Sequence, residues 1–368
     1  MYKYIIGIIA VLLGFTACSD KVAYQIEGKI SNLKDPTIYV VFENESGKLI
    51  DTLTCKTDGK FEIKEKEGNY NTATLFLENR TQWSTIFLEK GKKVKISGDA
   101  QYTNLFHIKG GSDINGKLSD MRNASINLWK EQSDLIRKIE KSASNPIEES
   151  DLMAKLTNVN HQLEEQAVTY IKKHPDEAVS LALIQYFFTN PDDTREVDEL
   201  LALISPDLRE HYIYKSLEEY SERAKRTSIG AEAPTFKVKN LHGKEVNLAN
   251  ISGRYILLAF SAPWCEMEKP GEPYLNQIAA KYQSEDLNMI VITLDENSDK
   301  VRHLVKKDSI QWNLVTDSAG QASALIDLYN VSELPSCYLI DQDKKILLKT
   351  ENNLEIRDTL EELLGKGR

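Results

Sequence analysis

The chain reads as three architectures in succession: an all-β sandwich or barrel, a central α-helical segment, and an α/β domain. Three observations predict this. Between Tyr24 and about Lys109, apolar and polar residues alternate in short runs separated by turn signals, the period-two pattern of half-buried strands. From Ser112 to Ser228 the apolar residues recur at three- and four-residue spacings, which is helical. From Ile229 onward, short apolar runs alternate with helical stretches, as in a mixed sheet covered on both faces. At 368 residues, 41% hydrophobic and 28% charged, the composition is globular with room for several domains. The expected boundaries are 1–17 for a signal peptide, 18–23 for a lipidated N-terminus and linker, 24–110 for the β-rich domain, 111–228 for the helical segment and 229–368 for the α/β domain.

Each element has a local reason. Met1-Tyr2-Lys3 followed by Tyr4 to Phe15 is a basic start and an apolar core. It is shorter than the ~20 residues a membrane-spanning helix needs and fits a secretory signal peptide. The strands expected next are Tyr24 to Ile30, Thr37 to Phe42, Leu49 to Leu53, Phe61 to Ile63, Thr74 to Leu77, Ile86 to Leu88 and Val94 to Ile96. Asp58-Gly59, Glu67-Gly68-Asn69 and Lys90-Gly91 supply turns between them, so an antiparallel sandwich or barrel is expected. Cys55 falls in a strand and is expected as a packed side chain.

Ser144-Asn145-Pro146 breaks the helical segment, Ser180 to Phe188 reads as a buried helix, and Ser205-Pro206-Asp207 as an N-cap with proline at the first helical position. No ligand set occurs there, and its aromatic residues, Tyr186 and Phe188 among them, read as core. The segment is expected to act as a spacer or dimerisation module, which leaves a homo-oligomer open. In the last domain, Leu241 to Leu248 is a hairpin with Gly243 at its turn, and Tyr255 to Phe260 is a strand buried on both faces. Helices are expected at Tyr274 to Tyr282, Ser298 to Lys307, Ala322 to Tyr329 and Leu354 to Leu364. Strands are expected at Met289 to Leu294 and Asn313 to Thr316, and a hairpin joins Ser336 to Ile340 with Ile346 to Lys349.

The net charge of -10 argues against nucleic acid or an anionic membrane surface as partner. The six histidines lie at no metal-ligand spacing, and no Gly-rich phosphate loop occurs. No metal and no cofactor are expected.

The chemistry concentrates where the strand ending at Phe260 hands over to a helix, at Trp264-Cys265-Glu266-Met267-Glu268. Free backbone N–H groups and the helix dipole at such a handover favour a thiolate, the nucleophilic form of cysteine. Downstream, Pro335 stands directly before the apolar run Ser336-Cys337-Tyr338-Leu339-Ile340, where a proline must open a strand. Together these segments resemble the TlpA/ResA-like branch of the thioredoxin and alkyl-hydroperoxide-reductase superfamily over roughly Ile229 to Leu364. Ile229-Gly230-Ala231-Glu232-Ala233-Pro234-Thr235-Phe236 is similar to the superfamily's entry motif. The resemblance implies a thiol–disulfide oxidoreductase fold, with Cys265 as nucleophile beside Trp264, Pro273 within the helix, and Pro335 as a cis-proline against the thiol.

The family's second cysteine falls on Glu268, so the motif is a degenerate Cys-x-x-Glu and no resolving thiol stands in it. The buried acids that the resemblance implies six residues before and six after Cys265 fall on Ala259 and Gly271. Glu266 and Glu268 add negative charge beside the thiol, which disfavours thiolate. Pro270 biases Lys269 away from helical geometry and sets the dipole farther off. A peroxiredoxin would carry Thr where Ala262 stands, which excludes that branch. Cys337, two residues after Pro335, points to the same sheet face about 7 Å along the strand. It is a candidate relocated resolving thiol if the Cα atoms approach within roughly 7 Å.

Phe15-Thr16-Ala17-Cys18 resembles a bacterial lipobox, with Phe where Leu is more usual, which implies cleavage before Cys18 and lipidation of its thiol. Tyr24 to Lys109, through Gly28 and the turns at Asp58-Gly59 and Lys90-Gly91, resembles the β-rich domain of unknown function that precedes thioredoxin-like domains in many Gram-negative envelope lipoproteins. Without Cys18, an odd set remains in an oxidising compartment, Cys55, Cys265 and Cys337. The expected location is the cell envelope, anchored in the outer membrane and facing the periplasm or the surface. Three functions follow: a thiol–disulfide oxidoreductase limited to monothiol chemistry acting on envelope protein or peptide thiols, a non-catalytic binding descendant, and a structural lipoprotein.

Overall fold

The computed structural model describes residues 22–44, 47–142, 145–190, 193–262, 275–282, 287–293, 313–317 and 320–365. Two compact units divide between Ala182 and Leu183.

In the first unit, alternating burial makes the strands. Ile38, Val40 and Phe42 point inward from one strand and Ala73, Leu75 and Leu77 from another, with polar residues between them. The strands are β1 (Tyr24–Ser31), β2 (Thr37–Asn44), β3 (Gly47–Thr54), β4 (Lys60–Glu65), β5 (Thr72–Leu77), β6 (Gln82–Phe87), β7 (Lys93–Asp99) and β8 (His107–Gly110). They form two four-stranded sheets, ordered β4-β1-β7-β8 and β3-β2-β5-β6, whose inner faces share one apolar cluster. The architecture is thus a sandwich, with one departure from the antiparallel expectation. β1 pairs parallel to β7, with Ile26 opposite Val94 and Gly28 opposite Ile96. The pairing sets Ile26, Val94 and Ile96 side by side on the buried face.

Gly28 is required by packing, since a Cβ there would stand 2.2 Å from the Phe61 ring. β8 escaped the sequence pattern because only Ile108 of its four residues is buried. Cys55 lies one residue beyond β3 rather than within it, and it is buried, which pushes its thiol pKa up.

Three helices follow, α1 (Asp113–Ala124), α2 (Ile126–Ser142) and α3 (Pro146–Lys173). Buried Asn115 fastens α1 to the sandwich: its Nδ2 donates to the carbonyls of Phe87 (2.7 Å) and Gly110 (2.9 Å), and its Oδ1 accepts from the Phe87 amide (2.9 Å). α3 begins as its sequence demands, with Asn145 as N-cap and Pro146 at the first helical position.

The division between units falls inside α4 (Ala178–Phe187). Its central residues are buried as expected, but Tyr186 is 51% exposed and does not belong to the core. α5 (Arg195–Leu203) and α6 (Tyr212–Arg226) follow. Ser205-Pro206 opens only a 3₁₀ turn, Pro206–Leu208, without a side-chain cap. Amides 208, 209 and 211 bond three residues back, to the carbonyls of Ser205, Pro206 and Leu208, so no α-helical ladder propagates from the turn.

The longer helix instead starts after His211, whose Nδ1 accepts from the Ile213 amide at 3.2 Å. Burial holds the His211 pKa below its ordinary value. Because the folded state favours neutral imidazole, this contribution to stability is present above the unfolded pKa of about 6.5 and is lost as pH falls through it toward the folded value. His211→Asn keeps a capping acceptor and removes the titration. It is expected to flatten the decline in thermal midpoint below about pH 6.5, while His211→Ala lowers stability by about 1 kcal/mol at neutral pH. Thermal melts across this range check both.

The rest of the second unit is a five-stranded sheet and its helices. A short hairpin, β9 (Lys237–Lys239) and β10 (Glu245–Asn247), precedes β11 (Tyr255–Ser261). Then come α7 (Leu275–Tyr282), β12 (Leu287–Thr293), β13 (Asn313–Thr316), α8 (Gln321–Leu328), β14 (Ser336–Asp341), β15 (Ile346–Thr350) and α9 (Asn353–Gly365). The order is β13-β12-β11-β14-β15, with β11, β12 and β13 parallel and the last two antiparallel. β11 is the central strand and every one of its residues is buried, which explains its unbroken apolar sequence.

On one face Phe260, Tyr329 and Tyr338 pack ring against ring. The Tyr338 hydroxyl donates to the Tyr329 carbonyl (2.7 Å), and the Tyr329 hydroxyl donates to the Pro234 carbonyl (2.7 Å). The entry segment is thereby tied to the core. The opposite face buries Leu257, Ala259, Met289, Cys337 and Leu339 with α7 and α9. The helix expected at Ser298 to Lys307 lies outside the described residues.

Candidate functional site

The site is built where β11 ends. Its last residues, Phe260 and Ser261, and the following Ala262 are buried, so the chain leaves the sheet from inside the core. β14 runs antiparallel alongside, with Phe260 opposite Ser336 and Ala259 opposite Cys337. One step further in this register places Pro335 across from Ser261. The Leu334–Pro335 peptide is cis, and Pro335 is half-buried. Trp264, Cys265, Glu268 and Pro273, and with them the segment that joins Ala262 to α7, lie outside the described residues, as does Cys18.

Cys337 is placed on the α7 side of the sheet. Strand alternation puts it on the same face as Ala259, and both share an apolar cluster with Leu275 and Ile278 of α7 and Ile356 and Leu360 of α9. Cys337 is 1% exposed. Ala259 occupies the position at which the resemblance implies a buried acid. Its methyl group is packed in an apolar cluster with Leu257, Leu275, Ile278 and Cys337.

One residue escaped the sequence reading. The apolar run appeared to stop at Phe260, but the strand continues through Ser261, which parity with Ala259 and Leu257 sets on the Cys337 face. Ser261 is 4% exposed, and its Oγ has no hydrogen-bond partner among the described residues. Register sets it opposite Thr293, and Thr293 opposite Thr316, so buried hydroxyl residues cross the carboxyl ends of three parallel strands. Crevices at such ends are where open α/β sheets commonly hold ligands. The signal that could have found Ser261 is its odd-numbered phase in β11. Among the described residues no group of three or more His, Cys, Asp or Glu could hold a metal ion.

Residues 229–349 match the AhpC/TSA family, and residues 24–121 match a domain of unknown function, DUF4369. The chain is similar to the thiol-disulfide oxidoreductase ResA of Bacillus cereus, 31% identical over 147 residues, which are 40% of this chain and 83% of that protein. It is similar to ResA of Bacillus subtilis at 28% identity over 120 residues, covering 33% of this chain and 65% of that protein. A solved thiol-disulfide oxidoreductase from Bacteroides fragilis is 27% identical, covers 36% of this chain and 98% of its own, and superposes with a TM-score of 0.32. With 31% identity to ResA of Bacillus cereus over 83% of that protein, and residues 229–349 matching the AhpC/TSA family, the chain belongs through its C-terminal domain to the AhpC/TSA family of thioredoxin-fold proteins, alongside the ResA-like thiol-disulfide oxidoreductases.

Proposed function

We propose that this protein is an envelope-anchored, thioredoxin-like member of the thiol–disulfide oxidoreductase family whose chemistry is limited to a single thiol, Cys265. The observation that supports the reading is the register that sets Pro335 across from Ser261, the last residue of β11, four residues before Cys265 in the chain. Glu268 stands where a resolving thiol is needed. The Cys265 thiolate attacks a sulfur of a partner disulfide, that S–S bond breaks, and the partner's other sulfur leaves as thiolate. The mixed disulfide then waits for a second thiol from outside the motif. The partners are protein or peptide thiols and disulfides of the envelope, and the anchor is the lipid on Cys18, in the outer membrane.

Burial of Cys337 at 1% exposure among apolar side chains supports a packed role for it rather than that of relocated resolving thiol. A second reading, a non-catalytic domain that binds a peptide against Trp264 and Pro335, is favoured by the apolar surroundings of Ala259. Acid-quenched alkylation of envelope extracts separates the two. Monothiol chemistry is expected to yield mixed-disulfide adducts that vanish in Cys265→Ser and persist unchanged in Cys337→Ala. Complete absence of Cys265-dependent adducts leaves only the binding reading, and adducts that accumulate further in Cys337→Ala assign Cys337 as the resolving thiol.

A further inference from the structure

The outer face of the β4-β1-β7-β8 sheet carries six lysines against two glutamates in a protein whose net charge is -10. Strand parity sends Lys29 of β1, Lys60 and Lys64 of β4, Lys93 and Lys95 of β7 and Lys109 of β8 outward, and all are exposed. Glu27 and Glu62 on the same face are spent on Lys93 and Lys64 (2.7 Å for the latter), and Lys60 is held by Asp58 (2.8 Å). Lys29, Lys95 and Lys109 make no ion pair among the described residues. Lys29 stands opposite Lys60 with Asp58 acting on both, and Lys95 stands opposite Lys109 on β8 and opposite Glu27 on β1, so two like-charged pairs are only partly offset. Such pairs destabilise a sheet. The chain's net charge is -10, so this local excess of cations runs against the expectation that an anionic surface is not a partner.

We propose that this lysine face docks on the anionic headgroups of the bilayer in which the protein is anchored. The choice of bilayer over another polyanion rests on the lipidated Cys18 proposed above and on chain length. Ala23 is pinned at the head of β1, its amide donating to the Glu65 carbonyl and its carbonyl accepting from the Gly91 amide (2.8 Å each). Lys64 and Lys93 flank Gln25, two residues on. Five peptide units separate Cys18 from Ala23, a reach of at most about 18 Å. A lipid on Cys18 therefore holds this sheet close to the membrane, within one or two screening lengths of its surface charge. The repulsion between opposed lysines is relieved when phosphate groups lie between them.

The test uses the full mature chain with Cys18→Ser, which has no acyl group, and co-sedimentation with vesicles of phosphatidylcholine alone or mixed with phosphatidylglycerol. Binding is expected to the anionic vesicles only, and to be released by salt. Each lysine near an anionic surface favours binding about fivefold, so the triple replacement of Lys29, Lys95 and Lys109 by glutamine weakens it on the order of a hundredfold. Replacing Lys155, Lys172 and Lys173 on α3 changes it little. Because the face variant relieves two like-charge pairs and removes the one Lys95–Glu27 cross-strand neighbour, its thermal midpoint is expected to match that of the parent, which excludes misfolding as the cause. No sedimentation with anionic vesicles at low salt, sedimentation indifferent to the lysines, or binding to heparin without binding to vesicles overturns the proposal. Mass spectrometry of the mature N-terminus tests Cys18 lipidation separately, so loss of the anchor reading is not mistaken for loss of the docking face.

Discussion

Glu268→Cys is expected to convert background activity into measurable disulfide reduction in an insulin assay driven by dithiothreitol. A mixed disulfide on Cys265 is released only when a second thiol attacks it. From solution that thiol arrives at millimolar concentration, whereas a well-oriented neighbour acts at an effective concentration many orders higher. Restoring the second cysteine of the motif is therefore expected to accelerate release on the order of 10³-fold. The gain must disappear in Cys265→Ser, Glu268→Cys, because the first sulfur starts the exchange. If the single variant gains nothing, the block lies elsewhere. Ala259, set among apolar neighbours where the resemblance implies an acid, is then the group to change. If the unaltered chain already turns over at thioredoxin-like rates, the reading of a monothiol protein is wrong.

Phe260→Ala is expected to destabilise the second unit by about 3–5 kcal/mol. The ring is fully buried at 0% exposure and packs against Tyr329 at 5.6 Å and Tyr338 at 6.0 Å between centroids. Deleting it removes the transfer free energy of the ring and leaves a cavity that the flanking tyrosines cannot fill. Both are held by hydroxyl bonds, to the carbonyls of Pro234 and Tyr329. The urea midpoint of this unit, followed by circular dichroism, should fall by roughly 2 M. A shift under about 0.5 M would mean that the tyrosine pair re-packs, contrary to its hydrogen bonding. Phe260 is paired with Ser336, the residue after Pro335, so the same variant is expected to loosen the approach of Pro335 to the end of the strand.

Much of the fold was legible because burial alternates within short stretches. Thr37 to Phe42 and Thr74 to Leu77 read as strands from their own residues, and they are strands. Asn145-Pro146 reads as a helix start, and α3 begins there. Reading failed where the deciding partner is distant in sequence. β8 has a single inward residue and exists because β7 offers it a ladder. Ser205 and Pro206 do stand at the N-cap and the first helical position, and only the length of the element differs, a single 3₁₀ turn. At the site, Ser261 looked like the first loop residue after an apolar run, but pairing with Thr293 keeps it in the strand.

Taken alone, the amino-acid sequence determined the order of architectures, the family resemblance of the last domain, and the replacement of a second motif cysteine by Glu268. These follow from local periodicity and from residue identity, which need no knowledge of what lies across a sheet. Tertiary structure alone decided that β1 runs parallel to β7, that Cys337 faces Ala259 beneath α7, and that lysines from four strands gather on one face of a chain whose net charge is -10. Those facts depend on which strands pair and in what register. Pairing is settled by burying the whole sheet at once, and residues that meet across strands can lie about seventy apart, as Ile26 and Val94 do.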